Sequence, residues 1–499
     1  MRNIHQSVAK NKNKLLALLV LLSLSVAVLS GKTAHSQTAS LGEKTDSLIL
    51  AQTFENINFN ANYYNALAEA DYFYRKGDLS QSRQIQQRVK PNFSPVEPIP
   101  PAVNDLSQLD AEAKEYWNTA KQGIEADPQV PEEITNQIFA PLENLVKEYP
   151  AFVSGHILLA DTHDLYGEEQ AALNAIAKAA QLYPDNKEII DTQIDLLLLY
   201  NKPLEASIAA REFAQTYPDS PHASAYEQAA DSYFNKYQKN LKSKIAVSGI
   251  LGGIGQVATG NEGGALQIGQ MLLAGEKSAG QSFAQSIKAQ ANMVSDSTQL
   301  KYLNDVGQKL AKLMGRDEFE YEFNIVEDPT PNAFALPGGK IFFHTGMLQL
   351  MDSEAELAGV LAHEIAHSVL SHSYKQLGES ALSATAANMI SSLAGREVGI
   401  VARIGDGLLN RKFSRGKEKQ SDILGLRVLN AAGYSADGLY NVMAKLKQLK
   451  GESNAVDSLL SSHPASEERM RYLEELIQTK GYNRYGYEGV EAYRAIFPR

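Results

Sequence analysis

Three Tyr-Pro pairs, Tyr149-Pro150, Tyr183-Pro184 and Tyr217-Pro218, recur at a constant spacing of 34 residues. Proline lacks an N–H and its ring clashes with the preceding turn, so it cannot continue a helix. Each pair therefore reads as punctuation after a helix, and the spacing leaves room for two helices per unit. Ala160, Gly167, Ala172 and Ala179 supply the small side chains that two helices need where they approach closely. Such units bury a core only by stacking on their neighbours, so residues 108–240 are expected to form a curved helical array.

The period resembles that of the tetratricopeptide repeat, a helix–turn–helix unit. The motif match is partial, because His156 stands at the early aromatic position. An irregular array of helical hairpins is the alternative. Either form offers a surface for a peptide or protein partner.

The chain has 499 residues, enough for about three or four domains. It contains no cysteine. Disulfides, cysteine-ligated zinc, iron–sulfur clusters and thiol catalysis are excluded, and any metal must be held by His, Asp or Glu. The net charge of −11 gives no case for a nucleic-acid partner. At the N-terminus, Arg2, Lys10, Lys12 and Lys14 precede the uncharged run Leu15–Leu29, and Ala34-His35-Ser36 follows with small residues. This is the layout of a secretory signal peptide over residues 1–36, with an uncleaved anchor as the alternative. An exported location is expected, in the periplasm or extracytoplasmic envelope, free or membrane-associated.

Residues 37–107 read as helices followed by a Pro-rich linker from Pro91 to Pro101. Residues 241–295 read as a glycine-rich helical connector, or as a segment making peripheral membrane contact. From residue 296 to 480 the pattern is mixed. Leu300, Leu303, Val306, Leu310 and Leu313 keep helical spacing, Phe319–Val326 and Lys340–Thr345 read as strands, and Glu354–His372 as a helix. Residues 481–499 are expected to form a C-terminal tail.

That last helix carries His363-Glu364-Ile365-Ala366-His367. Residues i and i+4 share a helix face, so both imidazoles can address one ion, and Glu364 can reach a water beside it. A catalytic zinc takes three protein ligands. Glu418 and Asp422, again i and i+4, are candidates for the third ligand and for an acceptor that orients a ligand imidazole.

Four blocks then occur in order: Asn332 to Gly339, His363 to His367, Ser414-Arg415 with Glu418 and Asp422, and His463-Pro464 with Arg469. Together they resemble the HExxH zinc endopeptidases of the CAAX-prenyl-protease, HtpX and BepA type. The resemblance runs from about Ser297 to Leu473, and Ser421 replaces the usual alanine before the aspartate. It implies a mainly α chain, in which the tetratricopeptide-like repeats precede an α+β metalloprotease domain of gluzincin type with a small β-sheet.

It also implies one Zn2+ per subunit held by His363, His367 and Glu418, with Asp422 behind them. Glu364 would be the general base that takes a proton from the attacking water. His463 and Arg469 would stand beside the metal and bond the tetrahedral intermediate or substrate carbonyl; His463 as an inhibitory fourth ligand is the alternative. The substrate would be an unfolded or misassembled polypeptide of the envelope. It would add as an extra strand to an edge formed by Lys340, Ile341, Phe342, Phe343 and His344, with Asn332, Ala333 and Phe334 alongside. His372 is expected to point away from the metal. The competing function is a repeat-based chaperone or assembly scaffold with a latent protease site.

Overall fold

The computed structural model describes residues 59–95, 100–247, 273–382, 413–449, 463 and 467–498. The expected signal segment and the centre of the glycine-rich segment lie outside these residues. Among the described residues no helix is long and apolar enough to cross a membrane.

The helical arm runs through α3 (Ala111–Ala126), α4 (Ala140–Glu148), α5 (Val153–Leu165), α6 (Glu169–Leu182), α7 (Lys187–Leu199), α8 (Pro203–Thr216) and α9 (Ala223–Val247). Tyr149, Tyr183 and Tyr217 close α4, α6 and α8 with nearly one backbone conformation, φ/ψ of −122/61°, −127/65° and −123/60°. Each following proline then forbids continuation. Gly167 and Asn201, also 34 apart, take the left-handed φ of 77° and 55° that turns one helix into the next. Ala172, Ile176 and Ala179 of α6 are buried with Ile189 and Leu196 of α7. Ala206, Ala210 and Phe213 of α8 continue the core toward Tyr226 and Ala230.

The second half begins earlier than its sequence pattern indicates. Helix α10 (Glu276–Gln290) falls in the expected connector, yet Ala279, Phe283 and Ala284 are buried against Leu336 and Phe342. A Cβ on Gly280 would stand 1.8 Å from the carbonyl oxygen of Pro337. Only glycine allows that approach of helix to turn. Helix α11 (Ser297–Ala311) follows, capped by Asp296.

The sheet has three strands, β1 (Glu322–Val326), β2 (Ala333–Leu336) and β3 (Lys340–His344), in the order β1-β3-β2. Strand β3 runs parallel to β1 and antiparallel to β2. The expectation that Lys340–Thr345 forms an edge is therefore corrected. Both sides of β3 are paired, and its core is buried. Met293 bridges Val326 beyond β1, which leaves the outer side of β2 as the open edge among the described residues.

Beyond the sheet come α12 (Thr345–Leu350), α13 (Glu354–Val369), α14 (His372–Leu382), α15 (Arg415–Ala431), α16 (Gly438–Gln448) and α17 (Glu467–Thr479). The expected helix Glu354–His372 is in fact broken. Ser371 takes φ +57°, and a new helix begins at His372.

Residues 481–498 are not a peripheral tail. Helix α18 (Val490–Ile496) and the turn before it pack between α13 and the N-terminal helices α1 (Ala61–Arg75) and α2 (Leu79–Val89). Asp71 accepts the N–H groups of Glu488 and Val490 at 2.8 and 3.0 Å. Tyr64 donates to Glu356 at 2.7 Å. Lys90 is fully buried and lies 2.8 Å from Asp437 and 2.5 Å from Glu488. The helices read ahead of the Pro-rich linker thus pack against the second half of the molecule.

Removing one member of a buried ionic cluster strands the others without compensation. Lys90→Ala is expected to lower unfolding stability by about 3 kcal/mol. Urea denaturation followed by far-UV circular dichroism measures it; an unchanged midpoint would contradict the integration of residues 59–90 into this core.

Candidate active site

Helix α13 starts at a side-chain N-cap, Ser353. The Ser353 hydroxyl accepts the N–H of Glu356, and the Glu356 carboxylate accepts the N–H of Asp352 at 2.7 Å. Every residue from Ala355 to Val369 is buried, so the helix is central and carries His363, Glu364 and His367 into the interior. Helix α15 crosses it closely. A Cβ on Gly425 would stand 3.1 Å from the backbone nitrogen of His363. This approach sets Glu418 and Asp422 against the two histidines.

The Nε2 atoms of His363 and His367 are 3.1 Å apart. Glu418 brings Oε2 to 3.6 Å from the first and Oε1 to 3.4 Å from the second. His463 enters from the opposite side, with Nδ1 3.1 Å from Glu418 Oε1 and 3.4 Å from His363 Nε2. The ligand atoms of these four residues all lie within 4.8 Å of one another. Ligands about 2.0–2.2 Å from a tetrahedral zinc are separated by roughly 3.4 Å, so the spacing fits that ion.

The far nitrogens are engaged behind the cluster. His363 Nδ1 lies 2.8 Å from Asp422 Oδ1. His367 Nδ1 lies 3.0 Å from His372 Nδ1. With the proton on Nδ1, both rings would present Nε2 lone pairs to a common point, the arrangement that metal ligation requires. Burial lowers the His367 pKa to about 3, which keeps its imidazole neutral.

Three carboxylates are buried here. Burial raises the pKa of Glu364, and its Oε2 has no hydrogen-bond partner among the described residues. Burial also opposes ionisation of Glu418 and Asp422, but cationic neighbours prevail. His463 and Arg469 hold Glu418 well below the usual carboxylate range. Arg469 and His363 hold Asp422 at about 2. His463 is pushed up to about 9, against its burial, by Glu418 and Glu364.

Arg469 donates through Nε and Nη2 to Asp422 at 2.9 and 2.7 Å, and Nη1 lies 2.6 Å from Glu418 Oε2. Its guanidinium is thus aligned on the two acids rather than toward the space beside Glu364. The sequence expectation placed it beside the metal and against substrate; the bonds described here run to Asp422 and Glu418.

The residues expected to meet substrate divide into two groups. Ile341, Phe342 and Phe343 are fully buried in the sheet, and Phe342 stacks on Phe334 with centroids 5.2 Å apart. Lys340 donates to the carbonyl of Glu320 at 2.6 Å, and His344 sits near Asp328. These groups build the sheet. Asn332 accepts the N–H of His344 at 2.9 Å, so alternation turns the backbone groups of Ala333 and Ala335 to the open side of β2. The Ala335 carbonyl there accepts the Ser373 hydroxyl at 2.7 Å.

Four participants were not anticipated as such. Phe413 stacks on the His367 ring at 4.1 Å. Tyr472, one turn beyond Arg469, donates to Asp422. Ser421 lies 3.3 Å from His372 Nδ1. His372 itself does not join the four-residue cluster, as expected, yet it faces the back of His367. Continuing one helix turned it away, and the break at Ser371 brings it back.

Residues 297–477 match the sequence model of peptidase family M48. The match begins at the first residue of α11 and includes every residue of the cluster. The mitochondrial metalloendopeptidase OMA1 of Schizosaccharomyces pombe is 30% identical over 201 residues, 40% of this chain and 58% of that protein. The beta-barrel assembly-enhancing protease of Escherichia coli is 24% identical over 262 residues, 48% of this chain and 52% of that protein. Its namesake from Yersinia pestis is 26% identical over 208 residues, 39% of this chain and 42% of that protein. The chain thus spans about half the length of the curated relatives it matches. Over residues 297–477 the chain is thus similar to peptidase family M48, and this similarity, with that to the metalloproteases above, supports a metalloendopeptidase.

Proposed function

We propose that the protein is a zinc-dependent endopeptidase that cleaves unfolded or misassembled polypeptides in the cell envelope. The observation that carries this reading is the convergence of His363, His367 and Glu418 beside Glu364, a buried carboxylate with an oxygen left unpartnered. His363, His367 and Glu418 would hold the ion. Bound zinc supplies Lewis acidity, which acidifies water and polarises a carbonyl oxygen.

Glu364 takes the proton of the attacking water and returns it to the leaving amine nitrogen; its raised pKa suits both transfers. His463, with Nε2 4.0 Å from Glu364 Oε1, is placed to donate to the oxygen on which negative charge develops. Arg469 and Asp422 hold Glu418 and His363 in orientation and stay off the substrate. The substrate chain pairs with the open side of β2, through the outward groups of Ala333 and Ala335. Backbone pairing tolerates many sequences, which suits unfolded clients. The arm, read as tetratricopeptide-type repeats on its 34-residue period, presents those clients. The N-terminal basic and apolar segment supports an exported location.

Glu364→Gln is expected to lower kcat on an unfolded protein substrate by about a thousandfold while metal content is unchanged. Casein cleavage together with metal analysis checks this; undiminished turnover would refute the mechanism. Peptide substrates N-methylated at one amide at a time are expected to lose about tenfold in kcat/KM at every second position, from one backbone hydrogen bond each. A profile without that alternation would count against pairing with β2.

A further inference from the structure

The back of His367 opens onto a line of polar side chains that ends in the other half of the molecule. His372 Nδ1 is 3.0 Å from His367 Nδ1, and both rings are fully buried. His372 Nε2 is 3.2 Å from Gln420 Oε1. Gln420 Nε2 donates to Glu212 Oε2 at 2.8 Å. Glu212 belongs to α8 of the helical arm, Gln420 to α15 and His372 to α14.

The protons along this line can run in only one order when His367 binds a cation through Nε2. A neutral imidazole carries a single N–H. It must then sit on His367 Nδ1 and donate to His372 Nδ1. His372 in turn carries its proton on Nε2 and donates it to the Gln420 carbonyl. The amide nitrogen of Gln420 donates to the Glu212 carboxylate. Every donor meets an acceptor, and the last acceptor, the Glu212 carboxyl oxygen, lies in the arm. Ser421 Oγ, 3.3 Å from His372 Nδ1, is the competing donor and shares that lone pair.

The arm is held against this line from both sides. Lys375 of α14 pairs with Glu205 of α8 at 2.8 Å, and Lys419 of α15 donates to Gln181 of α6 at 3.1 Å. The relay residues Glu212 and Gln420 thus lie beside two further polar contacts between the arm and helices α14 and α15.

We propose that His372, Gln420 and Glu212 form a positioning relay by which the helical arm fixes the ring of the metal ligand His367. The proposal rests on the metallopeptidase reading. It adds that the two halves of the chain are coupled through a ligand, so that displacement of α8 is felt at the cation. None of the three residues touches substrate.

The test uses the full chain loaded with Co2+, affinity being measured against a competing chelator and ligand geometry from the visible d–d bands. Gln420→Leu and Glu212→Leu are each expected to weaken Co2+ binding about tenfold and to shift the bands. The exchange Glu212→Gln with Gln420→Glu reverses the amide and carboxylate and still accepts the His372 proton; it is expected to restore affinity to within about twofold. Thermal midpoints identify any variant that fails to fold, and the exchange then decides. Wild-type affinity and bands in folded Gln420→Leu, or in folded Glu212→Leu, would overturn the relay while leaving the peptidase reading intact. An exchange that folds but does not recover would also overturn it. A wild-type chain that takes up no Co2+ would overturn the peptidase reading and the relay together.

Discussion

The close crossing of Glu354–Val369 over Arg415–Ala431 governs the geometry of the rest. Gly425 brings one helix backbone onto the other beside His363. Gly438, the first residue of α16, brings a third helix onto the start of α13, where a Cβ would stand 2.1 Å from the Ala355 carbonyl oxygen. Backbone contacts thus limit how far α15 and α16 can shift on α13. An i,i+4 pair of histidines then faces an i,i+4 pair of acids. Glu418 meets the Nε2 side of the rings, and Asp422 meets the far nitrogen of His363. Different glycines would move all four groups together, because each is rigidly attached to its helix.

Charge decides what such a cluster can hold. Three buried carboxylates, Glu364, Glu418 and Asp422, face one permanent cation, Arg469. Buried charge without a counterpart is costly. A protonated His463 offsets part of the excess, and Glu418 and Glu364 accordingly push its pKa up to about 9. A divalent ion held by His363, His367 and Glu418 would offset it as well.

Local periodicity made the chemistry readable and non-local pairing hid the architecture. The histidine pair and the acid pair could be placed because helix spacing fixes their faces from sequence alone. The resemblance joined them across about 50 residues, which spacing could not do. The strand order was not legible, because Lys340–His344 is equally apolar as a centre or an edge, and only its two partners decide. The break at Ser371 was hidden since a serine carries no mark of a left-handed φ, and with it the place of His372 was lost. Nothing in the local sequence marks Asp71, Lys90 and Glu488 as core residues. They are buried because segments about 400 residues apart supply each other's partners.

The open side of β2 is narrow for a physical reason. An unpaired edge invites association with any other extended chain, so proteins keep such edges short or cover them. Here the Ser373 hydroxyl donates to the Ala335 carbonyl, so helix α14 occupies part of the hydrogen-bonding capacity of the strand's open side. What remains outward is the N–H and carbonyl of Ala333 and the N–H of Ala335. Under the proposed function this remnant holds only a few residues of an extended chain. It therefore selects for backbone that is already unfolded, because a folded strand has its own groups committed and cannot offer them. Selection by availability of backbone, rather than by side-chain pockets, follows under this reading from a sheet whose central strand is saturated and whose edge is partly closed by Ser373.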